Sequence, residues 1–138
     1  VLDAKEFAIT HASNSRAPRW PYVLDNSTAK TNFHNQTHKI CFNGHTHLPL
    51  IISEDPNGEI LMKGIENQIL QKEMRYFINA GSVGQPRDSD PRSSILTFDT
   101  DKQELKLIKQ KYAIGKVQKI MRKKKFPERL ITRLSEGR

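Results

Sequence analysis

The sequence predicts an α+β domain in which a series of short strands is followed by two terminal helices. Three observations carry this reading. Short apolar stretches alternate with clusters of Gly, Pro, Asn and Asp, the pattern of strands and turns. Asp55-Pro56-Asn57-Gly58 and Thr100-Asp101-Lys102 each separate two apolar stretches by a compact turn, which marks two hairpins. From Ile114 onward the apolar residues change to helical spacing.

In chain order, residues 6–10 form a strand that ends at His11. Residues 12–25 hold Pro18 and Pro21 among small polar residues and read as a loop, with Trp20 and Tyr22 expected to anchor it to the core. Residues 26–36 are polar and read as helix or loop. Residues 39–42 form a strand that stops before Gly44. Residues 48–53 and 59–63 are the arms of the first hairpin. Residues 65–72 show no clear preference. Residues 76–79 form a further strand, and residues 94–99 and 104–111 make the second hairpin. Val117, Ile120 and Met121 share one helical face, as do Leu130, Ile131 and Leu134. Pro127 opens the last helix, Glu128 sits in its first turn and Gly137 closes it.

The 138 residues suffice for one domain with a core. No apolar run is long enough to span a membrane, and the start has no signal-peptide pattern. The chain begins at Val1 rather than Met, as a processed product or an excerpt would. The single cysteine, Cys41, excludes an internal disulfide and a thiolate zinc cluster, and a cytoplasmic setting is expected. Asn26-Ser27-Thr28 and Asn35-Gln36-Thr37 match the glycosylation triplet, a pattern frequent by chance. Net charge is +8, from 23 Lys and Arg against 15 Asp and Glu. Such an excess suits a polyanionic partner or simply a solvated surface. Much of it lies in Arg122-Lys123-Lys124-Lys125, late in a helix, where cations complement the helix dipole without any partner.

Chemistry concentrates at strand ends. Gly44-His45-Thr46-His47 follows a short apolar strand, and His11 follows another. Imidazole is the commonest neutral metal ligand, yet lone histidines also serve structural roles. On a continuous strand, side chains at i and i+2 point the same way and can share one ion. Across a turn they diverge and can serve two. His34 and His38 stand i and i+4 in a polar stretch and read as surface residues. A third stretch is Asn79-Ala80-Gly81-Ser82-Val83-Gly84-Gln85-Pro86-Arg87-Asp88. Its backbone N–H groups are able to cradle an anion and Arg87 to add a bidentate contact, although a plain turn has the same composition.

Taken together, Gly44-His45-Thr46-His47 and the stretch from Asn79 to Asp88 resemble the calcineurin-like metallophosphoesterases, above all a small, predominantly microbial subfamily of phosphodiesterases and phosphatases. His11-Ala12-Ser13, then Trp20-Pro21-Tyr22-Val23-Leu24, resembles the family's upstream histidine loop, and Phe126 to Leu130 with Arg133 to Arg138 resembles its C-terminus. The resemblance implies a β-sandwich flanked by helices, of four-layer αββα type, with a two-metal centre at the strand ends. It implies that His11 and His45 ligate one ion and His47 the other. Asn79, Gly81, Ser82, Gly84 and Arg87 would lie near the phosphate. The cofactors would be two divalent ions, Mn, Fe, Zn, Ni or Mg, and the partner a phosphate-ester substrate attacked in line by a metal-activated hydroxide.

The sequence departs from the family pattern in three ways. Ala12 stands for the usual glycine and Asn14 for the usual proline, and Ala80 stands for a frequent proline. The third departure is larger. The family's Asp-x-His, its Gly-Asp and its Gly-Asn-His followed by an acidic residue occur nowhere here. The resemblance therefore makes residues 1–138 the C-terminal half of such a domain. The missing N-terminal half is an expected partner, and these residues alone would be weakly active or inactive. A half sandwich would also leave a strand edge and an apolar sheet face uncovered. Two further readings are a non-catalytic scaffold of the same fold and, last, a basic nucleic-acid module. Nucleic acid is not expected beyond a nucleotide substrate, because aromatics are few and no binding motif is present.

Overall fold

The computed structural model describes residues 2–15 and 19–138. Val1 and residues 16–18 of the predicted loop lie outside that range. In chain order the elements are β1 (Leu2–Asp3), β2 (Phe7–Ile9), α1 (Asn26–Asn35), β3 (Ile40–Asn43), β4 (Pro49–Glu54), β5 (Ile60–Gly64), β6 (Gln68–Ile69), β7 (Arg75–Ala80), β8 (Ser93–Asp99), β9 (Glu104–Gln110), α2 (Ile114–Lys123) and α3 (Glu128–Glu136). Among the described residues the result is a mixed α/β fold with two sheets and three helices, the fold class the sequence predicts.

The larger sheet runs β1-β2-β3-β7-β4-β5 and the smaller one β6-β9-β8. Strands β2, β3 and β7 are parallel neighbours, with Ile9 opposite Phe42 and Asn43 opposite Asn79. β4 joins β7 antiparallel, with Pro49 opposite Ala80. One face of this sheet packs on α1 through Ala8, Val23, Ala29, Phe33, Cys41, Ile52 and Phe77. The other packs on the small sheet through Ile40, Ile51, Tyr76, Ile78 and Leu105, with Leu70 beside them. Strands covered on both faces need unbroken apolar runs rather than alternation. That requirement explains Ile40-Cys41-Phe42 and Tyr76-Phe77-Ile78. Phe7, Phe42 and Phe98 fill one end of the space between the sheets in edge and tilted contacts, with centroids 5.5–6.4 Å apart.

Residues 26–36, read as helix or loop, form α1 as the crossover between the parallel strands β2 and β3. Helix α1 starts at a capping box: Asp25 Oδ1 accepts from the Thr28 amide at 2.8 Å, and Thr28 Oγ1 accepts from the Asp25 amide at 3.3 Å. Its C-terminal carbonyls are met by Arg75 of β7, which donates to Phe33 O at 2.7 Å and Gln36 O at 2.8 Å. Arg75 also pairs with Glu54 and lies over the Phe33 ring. His38 falls beyond the helix, so His34 and His38 do not share a helical turn. The two predicted hairpins are β4–β5 and β8–β9. Asp55 Oδ1 closes the first turn on the amides of Asn57 and Glu59, and Asp99 Oδ1 closes the second on Asp101 and Lys102.

The terminal helices form a hairpin held by Gln118 Nε2 donating to Ile131 O at 2.9 Å and by the Arg122–Glu128 pair. Helix α3 buries Ile131 and Leu134, while α2 leaves Val117 and Ile120 exposed. Gly137 ends α3 with φ +70°, and a Cβ there would stand 2.6 Å from the Asp90 amide nitrogen. Its carbonyl accepts from Ser89 N at 2.9 Å, which ties the hairpin to the loop before β8. No helix among the described residues is long and apolar enough to cross a membrane.

Candidate functional site

Because β2, β3 and β7 are adjacent and parallel, their carboxyl ends fall side by side. Ligand sites in α/β sheets collect at such ends. His11 leaves β2, Gly44-His45 leaves β3 and Asn79 closes β7. Thr10 N donates to Phe42 O at 2.9 Å and Gly44 N to His11 O at 3.1 Å, so the first two ends stay zipped as far as the histidines. His11 Nε2 and His45 Nδ1 then stand 3.1 Å apart.

The Gly44–Leu48 turn is unusual. His45 and His47 both have positive φ, +69° and +63°, in the left-handed region that favours glycine. Such strain persists only where neighbours impose it. The imposing residue is Asn79, which is 3% exposed. Its Nδ2 donates to Gly44 O and to Thr46 Oγ1, and its Oδ1 accepts from Gly81 N. The turn itself adds Thr46 N to Gly44 O at 2.8 Å and Leu48 N to Thr46 Oγ1 at 3.3 Å. His47 Nδ1 meets Gln85 O at 2.8 Å, while Arg87 N donates to His47 O at 3.2 Å. A carbonyl only accepts, so Nδ1 is the donor in this bond, and in the neutral ring Nε2 is then the acceptor.

Two ring nitrogens on one ion, each about 2.1 Å away, stand roughly 3.0–3.4 Å apart at angles between about 90° and 110°. The His11–His45 spacing fits that geometry. Among the described residues no three His, Cys, Asp or Glu side chains, His47 included, are placed to hold one ion. The donors therefore fit part of a metal shell: one imidazole pair and one further imidazole, with no carboxylate. Burial and the neighbouring His11, with smaller effects of His47 and Arg87, hold His45 below its ordinary pKa of 6.5 against the opposing Trp20 backbone. The neutral, ligating form is thereby favoured.

A second layer supports His11. Asn14 N donates to Asn32 Oδ1 at 2.8 Å, and Asn14 Nδ2 reaches Asn32 Oδ1, Gln36 Oε1 and Cys41 Sγ at 3.3–3.5 Å. Gln36 Nε2 continues to the carbonyls of His38, Lys39 and Tyr76. Proline has no amide hydrogen. Asn14, where the resemblance leads one to expect proline, instead anchors the His11 loop to α1 through its amide.

The glycine-rich stretch is bonded differently from an anion cradle at two of its amides. Gly81 N is used by Asn79, and Gln85 N donates to Ser82 Oγ at 2.9 Å. Ser94 N donates to Ser82 O at 2.8 Å, and Ser93 Oγ to Val83 O, stitching the stretch to β8. Gly81 is required where it stands, with φ +80° and a would-be Cβ 2.9 Å from Ser94 Cβ; Gly84 has open space around it. Trp20 and Tyr22 correct the sequence reading. They are 50% and 46% exposed and pack on the imidazoles rather than the core. The Tyr22 ring lies 4.6 Å from His45, and the Trp20 ring 5.2 Å from His11. Residue-by-residue reading also misses Thr46 and Asn32. Each is a buried polar side chain, a cost accepted only where partners are fixed.

The family model of the calcineurin-like phosphoesterase superfamily domain matches residues 1–103. The chain belongs to the calcineurin-like phosphoesterase superfamily. Within that superfamily, the crystal structure of a metallophosphoesterase from Sphaerobacter thermophilus is similar at a TM-score of 0.88 and 35% identity, covering 99% of this chain and 58% of that one. An uncharacterized protein of Methanocaldococcus jannaschii is 30% identical over 138 residues, 99% of this chain and 54% of its own length. A hypothetical protein from Pyrococcus horikoshii OT3, at 14% identity, shares the fold with a TM-score of 0.62 over 94% of this chain and 46% of that one. The chain thus spans about half the length of the relatives it matches. The calcineurin-like fold brings all three predicted histidines to one end of the large sheet and sets His11 against His45.

Proposed function

We propose that this chain is the histidine-bearing half of a metal-dependent phosphoesterase. The observation that carries the reading is the His11–His45 pair at 3.1 Å, with His47 on the same turn and its Nε2 left as an acceptor. Membership of a phosphoesterase superfamily supports it. In this reading His11 and His45 hold one divalent ion and His47 a second. The ions are Mn, Fe, Zn, Ni or Mg, borderline to hard cations that accept imidazole with carboxylate. Bound ions would supply a hydroxide near neutral pH and positive charge against the phosphoryl oxygens. Asn79 fixes the turn that aims His45 and His47, and Arg87 adds charge beside it. The carboxylates that complete the centre come from a further segment, in the same polypeptide or as a partner. The substrate is a phosphomonoester or phosphodiester, and the setting is the cytoplasm, in keeping with one free, buried Cys41.

The test is hydrolysis of bis(p-nitrophenyl) phosphate in manganese by the protein that carries this chain together with its carboxylate segment. His45→Ala and His47→Ala should each lower turnover on the order of a hundredfold or more. Unchanged turnover in both variants would sink the reading.

A further inference from the structure

Trp20 and Tyr22 have no role in holding a metal, yet they form the wall of the histidine site. Trp20 meets His11 edge-on at 5.2 Å and 66°, and His45 at 6.4 Å and 71°. Tyr22 lies 4.6 Å from His45 at 47°. Packing on one side leaves each ring half bare, at 50% and 46% exposure. Trp20 also holds φ +38°, a conformation a bulky residue adopts only under constraint. Strained backbone clusters at active sites and ligand clamps. The chain has one tryptophan and three tyrosines, and two of these four rings stand at this spot. Arg87 is tied to the same turn by its backbone N–H, which donates a hydrogen bond to His47 O. The imidazoles and Arg87 suit the phosphate, and the bare rings suit something flat attached to it.

We infer that Trp20 and Tyr22 are a stacking platform for a planar aromatic group carried by the phosphate ester, a nucleobase or an aryl ring. Every base presents a π-face, so such a platform favours aromatic esters without reading sequence. The inference rests on the proposed phosphoesterase reading for its phosphate end. Its ring end stands on the packing of Trp20 and Tyr22 alone.

Because Trp20 is the only tryptophan, its fluorescence reports directly on stacking. The experiment titrates the full chain in magnesium buffer with adenosine 5′-monophosphate, phenyl phosphate, ribose 5-phosphate and inorganic phosphate. The expected result is saturable quenching by the first two, with affinity about tenfold or more above ribose 5-phosphate. Calorimetry on Tyr22→Ala should show a loss of about tenfold for adenosine 5′-monophosphate and none for ribose 5-phosphate. Tighter binding of the nucleotide than of phenyl phosphate assigns a nucleobase; equal binding assigns any flat ring. Equal affinity for adenosine 5′-monophosphate and ribose 5-phosphate, or an unmoved Trp20 signal, overturns the platform. Aromatic preference here, with no hydrolysis by the protein that also carries the carboxylate segment, would leave the platform standing while the phosphoesterase reading fails. Hydrolysis without aromatic preference would do the reverse.

Discussion

His45 and His47 carry left-handed backbone angles that cost an L-residue about 1–2 kcal/mol each. Glycine would adopt them freely, so the imidazoles are kept at these positions against the backbone's preference. Asn79 is the side chain that makes this tolerable, through two donated bonds and one accepted bond in a buried setting. Asn79→Ala would strip partners from Gly44 O, Thr46 Oγ1 and Gly81 N together. A loss of about 3 kcal/mol in urea unfolding is expected, since buried polar groups left unpaired cost about 1–3 kcal/mol each. A loss within experimental error would mean that the turn holds itself. A second expectation concerns His45 in the metal-free chain. Its lowered proton affinity means that the unfolded chain takes up the proton first as pH falls. The His45 contribution to stability is complete above 6.5 and declines as pH drops below it. NMR titration of the histidine rings should place His45 below 6.5; a midpoint at or above that value contradicts the packing described.

Helix α1 was only partly legible in the sequence, and its inner face shows why. The buried residues are Ala29, Asn32 and Phe33, too polar a set to give a clear amphipathic stripe. Asn32 is fully buried because it holds the Asn14 amide and so supports the His11 loop. Strands β3, β7 and β4 were legible because burial on both faces demands apolar runs, and the hairpins because Asp55 and Asp99 bond their own turns. The histidine motifs could be read, but not their pairing, which depends on β2 and β3 being parallel neighbours. Trp20 and Tyr22 were misread because an aromatic in a loop looks the same whether it covers the core or a site. Asn32→Ala should raise the hydrogen-exchange rate of the Asn14 amide at least about tenfold, the equivalent of about 1.4 kcal/mol. Unaltered protection would detach α1 from the site. The two glycines of the β7–β8 connection separate just as clearly. Gly81→Ala meets both a positive φ and Ser94, and should cost about 2 kcal/mol or more in thermal unfolding. Gly84→Ala meets nothing within 4 Å and should stay within about 0.5 kcal/mol. Equal effects would show that the connection is not stitched to β8 as described.

At the scale of the molecule, the large sheet is covered on both faces at its centre, while the small sheet is covered on one. Ile95 and Ile108 face each other across β8 and β9 and are 44% and 45% exposed on its outer side. β8 is also an edge strand of that sheet. Between the sheets, Phe7, Ile9, Phe42, Ala80, Leu96 and Phe98 line a cleft of about 320 Å³. The edge and this apolar surface stand open among the described residues. An edge of this kind invites pairing with another chain. The +8 net charge opposes such pairing by mutual repulsion, and salt shortens the reach of that repulsion to about 10 Å at 0.1 M and about 3 Å at 1 M. Self-association of the chain should therefore rise with ionic strength, the reverse of contacts made by surface ion pairs. Sedimentation velocity at low and high salt measures this directly. Ile95→Lys places a charge on the outer face of the edge strand, where it disturbs no core residue. It should reduce association at high salt and change stability by no more than about 0.5 kcal/mol. A wild-type chain that stays monomeric at every salt concentration would show that the edge and outer face are not sticky. An Ile95→Lys variant that associates undiminished would move the contact elsewhere.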